Sequence, residues 1–110
     1  MPLSEKVRIE IFIPDLPDQT YSSILENLGN ELTAAFGGCT VISSVGKYRT
    51  IDGVILPDKI NILFSDTPFH WGRDRLIIEQ YSERLRLSVK RSLQEEESIL
   101  VSIYPVYHSE

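Results

Sequence analysis

A glycine turn between two apolar runs constrains this chain more than any other feature of its sequence. Asp52-Gly53 separates the run 41–51 from the run 54–64. An Asp-Gly pair in that setting is typical of a two-residue type I′ turn, in which both central residues have positive φ. The turn predicts a β-hairpin with Ile51 opposite Val54. The pairs further from the turn would be Lys47–Asp58, Val45–Ile60, Ser43–Ile62 and Val41–Phe64.

Periodicity predicts a helix on each side of this hairpin and a strand near each end of the chain. Residues 7–13 and 99–104 contain apolar side chains at every second position, as half-buried strands do. Apolar residues recur every three or four positions from an Asp18 N-cap to a Gly37-Gly38 stop. A second helix is predicted to run to about residue 93. Its start is predicted at Pro68, capped by Thr67, or alternatively at Trp71. A polar turn is predicted at 95–97.

The order βαββαβ predicts a single ferredoxin-like α+β domain over residues 1–110. Two βαβ halves with right-handed crossovers give a four-stranded antiparallel sheet in the order 4-1-3-2, with both helices on one face. The predicted helix-covered face contains Val7, Ile9, Ile11, Ile13, Val41, Val45, Ile60, Ile62, Phe64, Ile99, Val101 and Ile103. The predicted open face contains Arg8, Glu10, Phe12, Ile42, Ser44, Asn61, Leu63, Leu100, Ser102, Tyr104 and Val106.

The predicted open face is unusually apolar for a face that only water covers. A contiguous apolar patch of several hundred Å² usually marks an interaction site, so a homodimer is predicted. The interface residues would be Phe12, Ile42, Leu63, Leu100 and Tyr104. The hairpin arm, 46–58, could extend from the sheet and pack against the partner subunit. The competing interpretation is that these apolar residues are dispersed or covered by the termini.

Composition limits the partners that this chain can have. The net charge of −5 disfavours electrostatic attraction to nucleic acid or to an anionic membrane. Phe12 and Tyr104 on the open face could stack RNA bases, but the acidic balance argues against that function. The single cysteine, Cys39, excludes an intramolecular disulfide. Residues 1–6 lack the features of a signal peptide, and no apolar run approaches ~20 residues, so a cytoplasmic protein without a membrane segment is predicted.

No catalytic motif stands out in the sequence, which lacks a P-loop, a dinucleotide fingerprint and a nucleophile elbow. A ligand pocket between two subunits would draw on Tyr48, Arg49, His70 and Tyr104, whose phenol, guanidinium and imidazole groups suit an oxyanionic or aromatic ligand. Asp66, His70 and Asp74 have the spacing of metal ligands on a helix. Capping and the helix dipole explain both carboxylates equally well, so no metal and no cofactor are predicted.

Four segments resemble a group of small bacterial proteins that have a predicted ferredoxin-like domain and no established activity. The segments are 36–40 (FGGCT), Gly46-x-Tyr48-Arg49, Asp52-Gly53 and 94–100. The resemblance implies the ferredoxin-like fold and a bacterial origin, and it transfers no catalytic residue. The predicted function is therefore a binding or assembly module rather than an enzyme, with a small molecule or a protein as a further partner. The alternative is a small enzyme of the dimeric α/β-barrel kind, or a small-molecule-binding protein, that uses the four pocket residues.

Overall fold

The fold is a four-stranded antiparallel sheet with two helices on one face, seen in a computed structural model that describes residues 2–92 and 99–109. In chain order the elements are β1 Leu3–Pro14, α1 Gln19–Phe36, β2 Thr40–Arg49, β3 Ile55–Thr67, α2 Arg75–Ser92 and β4 Leu100–Ser109. The strand order is β2-β3-β1-β4, which is the predicted order 4-1-3-2 read from the other edge. The predicted ferredoxin-like fold is confirmed. The predicted helix end near residue 93 and the predicted turn at 95–97 lie outside the described residues.

Helix α1 begins and ends where the sequence indicates. The Asp18 side chain accepts a hydrogen bond from the Thr20 N–H at 2.9 Å, which satisfies one of the donors that a helix leaves open at its start. At the other end, Gly37 has φ 88°, and its N–H donates to the Thr33 carbonyl at 2.8 Å. A left-handed residue at that position favours glycine because no Cβ is there to clash.

Helix α2 begins later than either predicted start. The chain from Trp71 to Asp74 forms a turn instead, and the Asp74 carbonyl accepts the N–H of Ile78 at 2.9 Å as the helix begins. Glu5 of β1 explains the delay, because its carboxylate accepts the Trp71 N–H at 3.2 Å and holds this segment against the sheet. The Thr67 hydroxyl accepts the Phe69 N–H at 3.3 Å, so it caps a turn rather than a helix.

One face of the sheet and one side of each helix form the core. The fully or almost fully buried apolar residues are Val7, Ile9, Ile11, Ile13, Tyr21, Ile24, Leu28, Leu32, Leu63, Ile78, Leu85 and Val89. Burying an aliphatic side chain of this kind stabilises the fold by roughly 1.5–3 kcal/mol. On α2 the buried row contains Ile78, whereas Ile77, which the periodicity places in the apolar row, is 52% exposed.

The hairpin turn has three residues rather than two, and this changes the register of β2 against β3. Thr50 donates its N–H to the Val54 carbonyl at 2.8 Å, and its hydroxyl accepts the Val54 N–H at 3.1 Å. Within this turn, only Gly53 has positive φ, at 85°, whereas a type I′ turn requires it at Asp52 as well. The pairs are consequently Lys47–Pro57, Val45–Lys59, Ser43–Asn61 and Val41–Leu63. The predicted register is wrong by one residue.

A shift of one residue exchanges the two faces of β3, because side chains alternate along a strand. Ile60, Ile62 and Phe64 therefore lie on the open face, although the sequence pattern assigns them to the core. Leu63, predicted on the open face, is 0% exposed beneath the helices. Strand β2 is the edge strand, so Val41 and Val45 lie on the helix side of the sheet but remain 48% and 68% exposed.

Candidate functional site

The open face of the sheet divides into an apolar half and a polar half. Pairing aligns Ile42 with Ile62, Ile62 with Phe12 and Phe12 with Leu100. We call these four residues, Ile42, Ile62, Phe12 and Leu100, the apolar row. The row crosses all four strands without a polar interruption. Its outer members, Ile42 and Leu100, are 46% and 58% exposed.

Four of the five predicted interface residues lie on this open face: Phe12, Ile42, Leu100 and Tyr104. The prediction of Leu63 as an interface residue is wrong, because the three-residue turn places it in the core. Its neighbour Ile62 occupies the equivalent position on the open face, opposite Phe12. The residues of β1 and β4 lie on the faces that their alternation predicts, since neither strand depends on the hairpin turn for its register.

The polar half of the open face is organised around Asp66. Arg8 donates from Nε to Oδ1 at 2.6 Å and from Nη2 to Oδ2 at 2.9 Å, a bidentate pair. His108 Nε2 lies 2.7 Å from Asp66 Oδ2. The Arg8 guanidinium also stacks over the Phe64 ring, 4.2 Å from its centroid. Ion pairs with two parallel bonds and a stacked guanidinium are more rigid than ordinary surface pairs.

Tyr104 and Glu10 extend this cluster along β1 and β4. The Tyr104 hydroxyl donates to Glu10 Oε1, and Tyr104 lies directly opposite Arg8 in the sheet. The hydrogen bond to Glu10, together with burial, raises the pKa of Tyr104 above its ordinary value. Tyr104 therefore stays a neutral phenol that can donate a proton to a hydrogen bond. We call Arg8, Glu10, Asp66, Tyr104 and His108 the polar cluster.

Asp66 makes the stability of this protein depend on pH at the acid end. The Arg8 hydrogen bonds hold the pKa of Asp66 below its usual range, against the opposing effect of burial, and His108 lowers it further. A carboxyl whose pKa is lower in the folded state stabilises the fold above its unfolded pKa, about 4, and that contribution disappears as the pH falls through the folded pKa.

We therefore expect urea unfolding to show a falling free energy of unfolding from about pH 5 downwards. The Asp66→Asn variant should be less stable than the wild type at neutral pH, and the difference between the two should shrink in acid. Subtracting the two curves removes the contributions of the Asp74 and Glu83 carboxyls, whose pKa values are also lowered. A difference that stays constant from neutral pH to pH 2 would contradict the role of Asp66.

A second polar group lies at the same end of the sheet but on the helix side. The Glu5 carboxylate lies 3.0 Å from His70 Nε2 and accepts from the Tyr107 hydroxyl at 3.3 Å. Asp74 instead accepts the His70 N–H at 2.8 Å and pairs with Arg73. The predicted alignment of Asp66, His70 and Asp74 on one helix side does not form, because residues 66–74 are not helical. Among the residues that the structure describes, no three metal-ligating side chains gather.

The four predicted pocket residues do not meet within one subunit. Tyr48 and Arg49 are neighbours near the end of β2, and alternation points them to opposite faces of the arm. Tyr48 pairs with Leu56, whereas Tyr104 lies in the row of Asp66, so roughly 33 Å of β3 separates them. His70 lies on the helix side beside Glu5. The arm of a second copy could bring Tyr48 beside Tyr104 on the open face, whereas Arg49 and His70 lie on the helix side.

Sequence reasoning missed Asp66 and His108 as members of one cluster. The alternation along β1 and β4 placed Arg8, Glu10 and Tyr104 on the open face correctly. The sequence pattern instead indicates a capping role for Asp66 and a last strand over residues 99–104, which leaves His108 outside it. Strand β3 instead continues to Thr67 and β4 to Ser109. The signal that could have found the cluster is the spacing of Tyr104 and His108, which puts both on one face of a longer strand.

The fold and the open face together define a ferredoxin-like α+β protein with an uncovered sheet face. No protein-family model matches the sequence, and no curated protein is similar to it. No helix among residues 2–92 and 99–109 is long and apolar enough to cross a membrane.

Solved structures that share this fold include a phage SAM lyase, CutA and CPII. A phage SAM lyase in complex with S-methyl-5′-thioadenosine matches with a TM-score of 0.53 at 12% identity, over 96% of this chain and 90% of that chain. CutA from Synechococcus elongatus PCC7942 matches with a TM-score of 0.53 at 11% identity, over 96% of this chain and 80% of that chain. CPII from Thiomonas intermedia K12, bound to ADP, AMP and acetate, matches with a TM-score of 0.52 at 15% identity, over 100% of this chain and 94% of that chain. Similarity at these identities establishes the fold and nothing about activity.

Proposed function

We propose that this chain is a cytoplasmic binding or assembly module that forms a homodimer through its open sheet face. The observation that carries the proposal is the apolar row, which crosses all four strands on the face opposite both helices. In a sheet with one ordinary solvated face, apolar residues that face the core alternate along each strand with polar residues that face water. The net charge of −5 and the single cysteine fit a cytoplasmic protein.

A second copy of the chain is the occupant that this face suits best. In a two-fold interface the same patch meets itself, so the apolar row of one copy would pack on the apolar row of the other. With strands ~4.8 Å apart and ~6.8 Å between successive side chains on one face of a strand, the open-face residues of the four strands together offer roughly 700 Å² per copy. Stable dimers of standard size bury about 800 Å² per partner, so the face has nearly the required area by itself.

The hairpin arm supplies the remaining apolar surface. Ile51 at the tip is 103% exposed, and Ile55 is 66% exposed. Tyr48, Val54 and Leu56 are 49%, 53% and 38% exposed in the same segment. Exposed strands of this composition are a liability for aggregation unless a partner covers them. An arm that lies against a second copy would bury these residues and thereby stabilise the dimer.

The matched pair Ile62→Glu and Val45→Glu tests the interface. Ile62 lies between Ile42 and Phe12 in the apolar row, so a carboxylate there would be desolvated in the dimer but solvated in the monomer. We expect Ile62→Glu to raise the dimer dissociation constant at least about 100-fold, which corresponds to ~2.7 kcal/mol. Val45→Glu adds the same charge on the other side of the sheet, opposite Lys59, and should leave the dimer unchanged.

Analytical ultracentrifugation over a range of concentrations measures both constants, and circular dichroism confirms that both variants fold. A wild-type protein that sediments as a monomer at every concentration would refute the dimer. Equal dissociation constants for the wild type and Ile62→Glu would refute this face as the interface, even if a dimer exists.

Small-molecule binding is a second candidate function, supported by the ligands named for two of the similar structures. A phage SAM lyase binds S-methyl-5′-thioadenosine, and CPII binds ADP, AMP and acetate. A pocket that joins Tyr48 of one copy to Tyr104 of another would require the dimer. Native mass spectrometry distinguishes the candidates, since a dimer that carries additional mass supports a ligand and a bare dimer supports assembly alone.

A further inference from the structure

A cleft opens at the sheet edge where the chain passes from α1 into β2. It has a volume of about 440 Å³ and is formed by residues 36–40 on one side and 64–66 on the other. Pockets that bind small molecules usually have volumes of about 300–1,000 Å³. The cleft belongs to a single subunit, and it depends on neither the arm nor the apolar row.

Strand β3 leaves the N–H and C=O of one residue facing this cleft without a partner strand. Thr40 pairs with Phe64 in the last pair between β2 and β3, whereas β3 continues to Thr67. Along β3 the direction of the peptide groups alternates. The Val54 carbonyl accepts from Thr50 of the β2 side, and the Lys59 carbonyl accepts from Asp15 of the β1 side.

Even-numbered residues of β3 consequently direct both N–H and C=O towards β2, and odd-numbered residues direct them towards β1. Beyond the Thr40–Phe64 pair, the next even-numbered residue is Asp66. Its N–H donor and C=O acceptor point side by side into the edge that β2 leaves open. Gly38, which faces this edge from the other side, already uses its carbonyl to accept from the Ser65 hydroxyl at 2.6 Å.

The walls of the cleft suit a flat ligand. Gly37 and Gly38 have no side chains, and a Cβ built on either would meet no atom within 4 Å, so the space above their backbone is open. Phe36 and Phe64 add aromatic surface to the lining. The Asp66 carboxylate accepts three hydrogen bonds, two from Arg8 and one from His108, which leaves one of its roughly four lone-pair positions.

We propose that this cleft binds a planar heterocycle that presents a hydrogen-bond acceptor beside a donor, such as the pairing edge of a purine base. The ligand acceptor would take the Asp66 N–H, and the ligand donor would bond to the Asp66 carbonyl. The cleft supplies hydrogen-bond partners for the base alone, so a nucleoside is a sufficient ligand to test it.

Adenosine is the probe, and the matched variants are Gly38→Val and Gly72→Val. Both glycines lie outside helices and strands, both lack positive φ, and both have open space where a Cβ would be. A valine at 38 would add a branched side chain to the lining of the cleft, whereas Gly72 lies in the turn before α2. Amide chemical shifts in a ¹⁵N-labelled sample report the site of binding, and their dependence on adenosine concentration gives the dissociation constant.

We expect the shift changes to concentrate in residues 36–40 and 64–67. Gly38→Val should weaken adenosine binding at least about tenfold, whereas Gly72→Val should bind adenosine as the wild type does. Absence of shift changes at millimolar adenosine would overturn the proposal. So would equal binding by Gly38→Val, or binding of an extended peptide in place of adenosine, which would make the β3 edge a strand-addition site. None of these outcomes bears on whether the chain dimerises.

Discussion

The Leu63→Glu variant is expected not to fold, although Ile62→Glu, one residue away, is expected to fold and only to lose its dimer. Leu63 is 0% exposed between the sheet and α1, so a carboxylate there would be buried without a partner. The milder Leu63→Ala variant should fold and lose about 2–5 kcal/mol of stability, because it leaves a cavity in a packed core.

Circular dichroism and urea unfolding at a fixed protein concentration measure these effects. The comparison also tests the hairpin register, since the two-residue turn would place Leu63 on the open face and Ile62 in the core. Under that register the results would be exchanged: Leu63→Glu would fold and Ile62→Glu would not. A folded Leu63→Glu variant would therefore contradict the three-residue turn as well as the core position of Leu63.

Replacing Arg8 with alanine is expected to destabilise the protein by about 2 kcal/mol. Arg8 makes a bidentate ion pair with Asp66 and stacks over Phe64, and the two charged side chains are only 26% and 16% exposed. Removing the guanidinium leaves a half-buried carboxylate with fewer hydrogen bonds, and the cost of that loss typically exceeds the net value of the pair itself.

Arg86→Ala is the matched control, because Arg86 forms the same bidentate arrangement with Glu83 on the surface of α2. That pair is exposed and screened by water, so its loss should fall within the error of the unfolding measurement. If Arg8→Ala and Arg86→Ala have equal effects, the polar cluster contributes no more to stability than a surface ion pair. A double-mutant cycle with Asp66→Ala then separates the ion pair from the stacking on Phe64.

The local features of this chain were predictable where the residues involved are close in sequence. The Asp18 cap and the left-handed Gly37 delimit α1 by contacts within four residues, and the sequence locates both ends. The alternation along β1 places Arg8 and Phe12 on the open face for the same reason. Strand order follows from βαββαβ because right-handed crossovers leave few arrangements.

The predictions that were wrong concern features that depend on residues far apart in the chain. Helix α2 begins at Arg75 because Glu5, about seventy residues earlier, holds the Trp71 N–H. An Asp-Gly pair suits a two-residue turn and equally the end of a three-residue turn that places only the glycine at positive φ. The turn residues therefore do not choose between registers that exchange the two faces of β3.

Periodicity and local capping are enough to predict the elements, their order and the existence of an uncovered sheet face. Which residues of β3 lie on that face depends instead on how the strand packs against the rest of the fold. Packing of Leu63 beneath α1 and pairing of Asp66 with Arg8 both require the same register, so the two favour it together. The polar cluster and the cleft beside it are consequences of that register, which local preferences at the turn leave open.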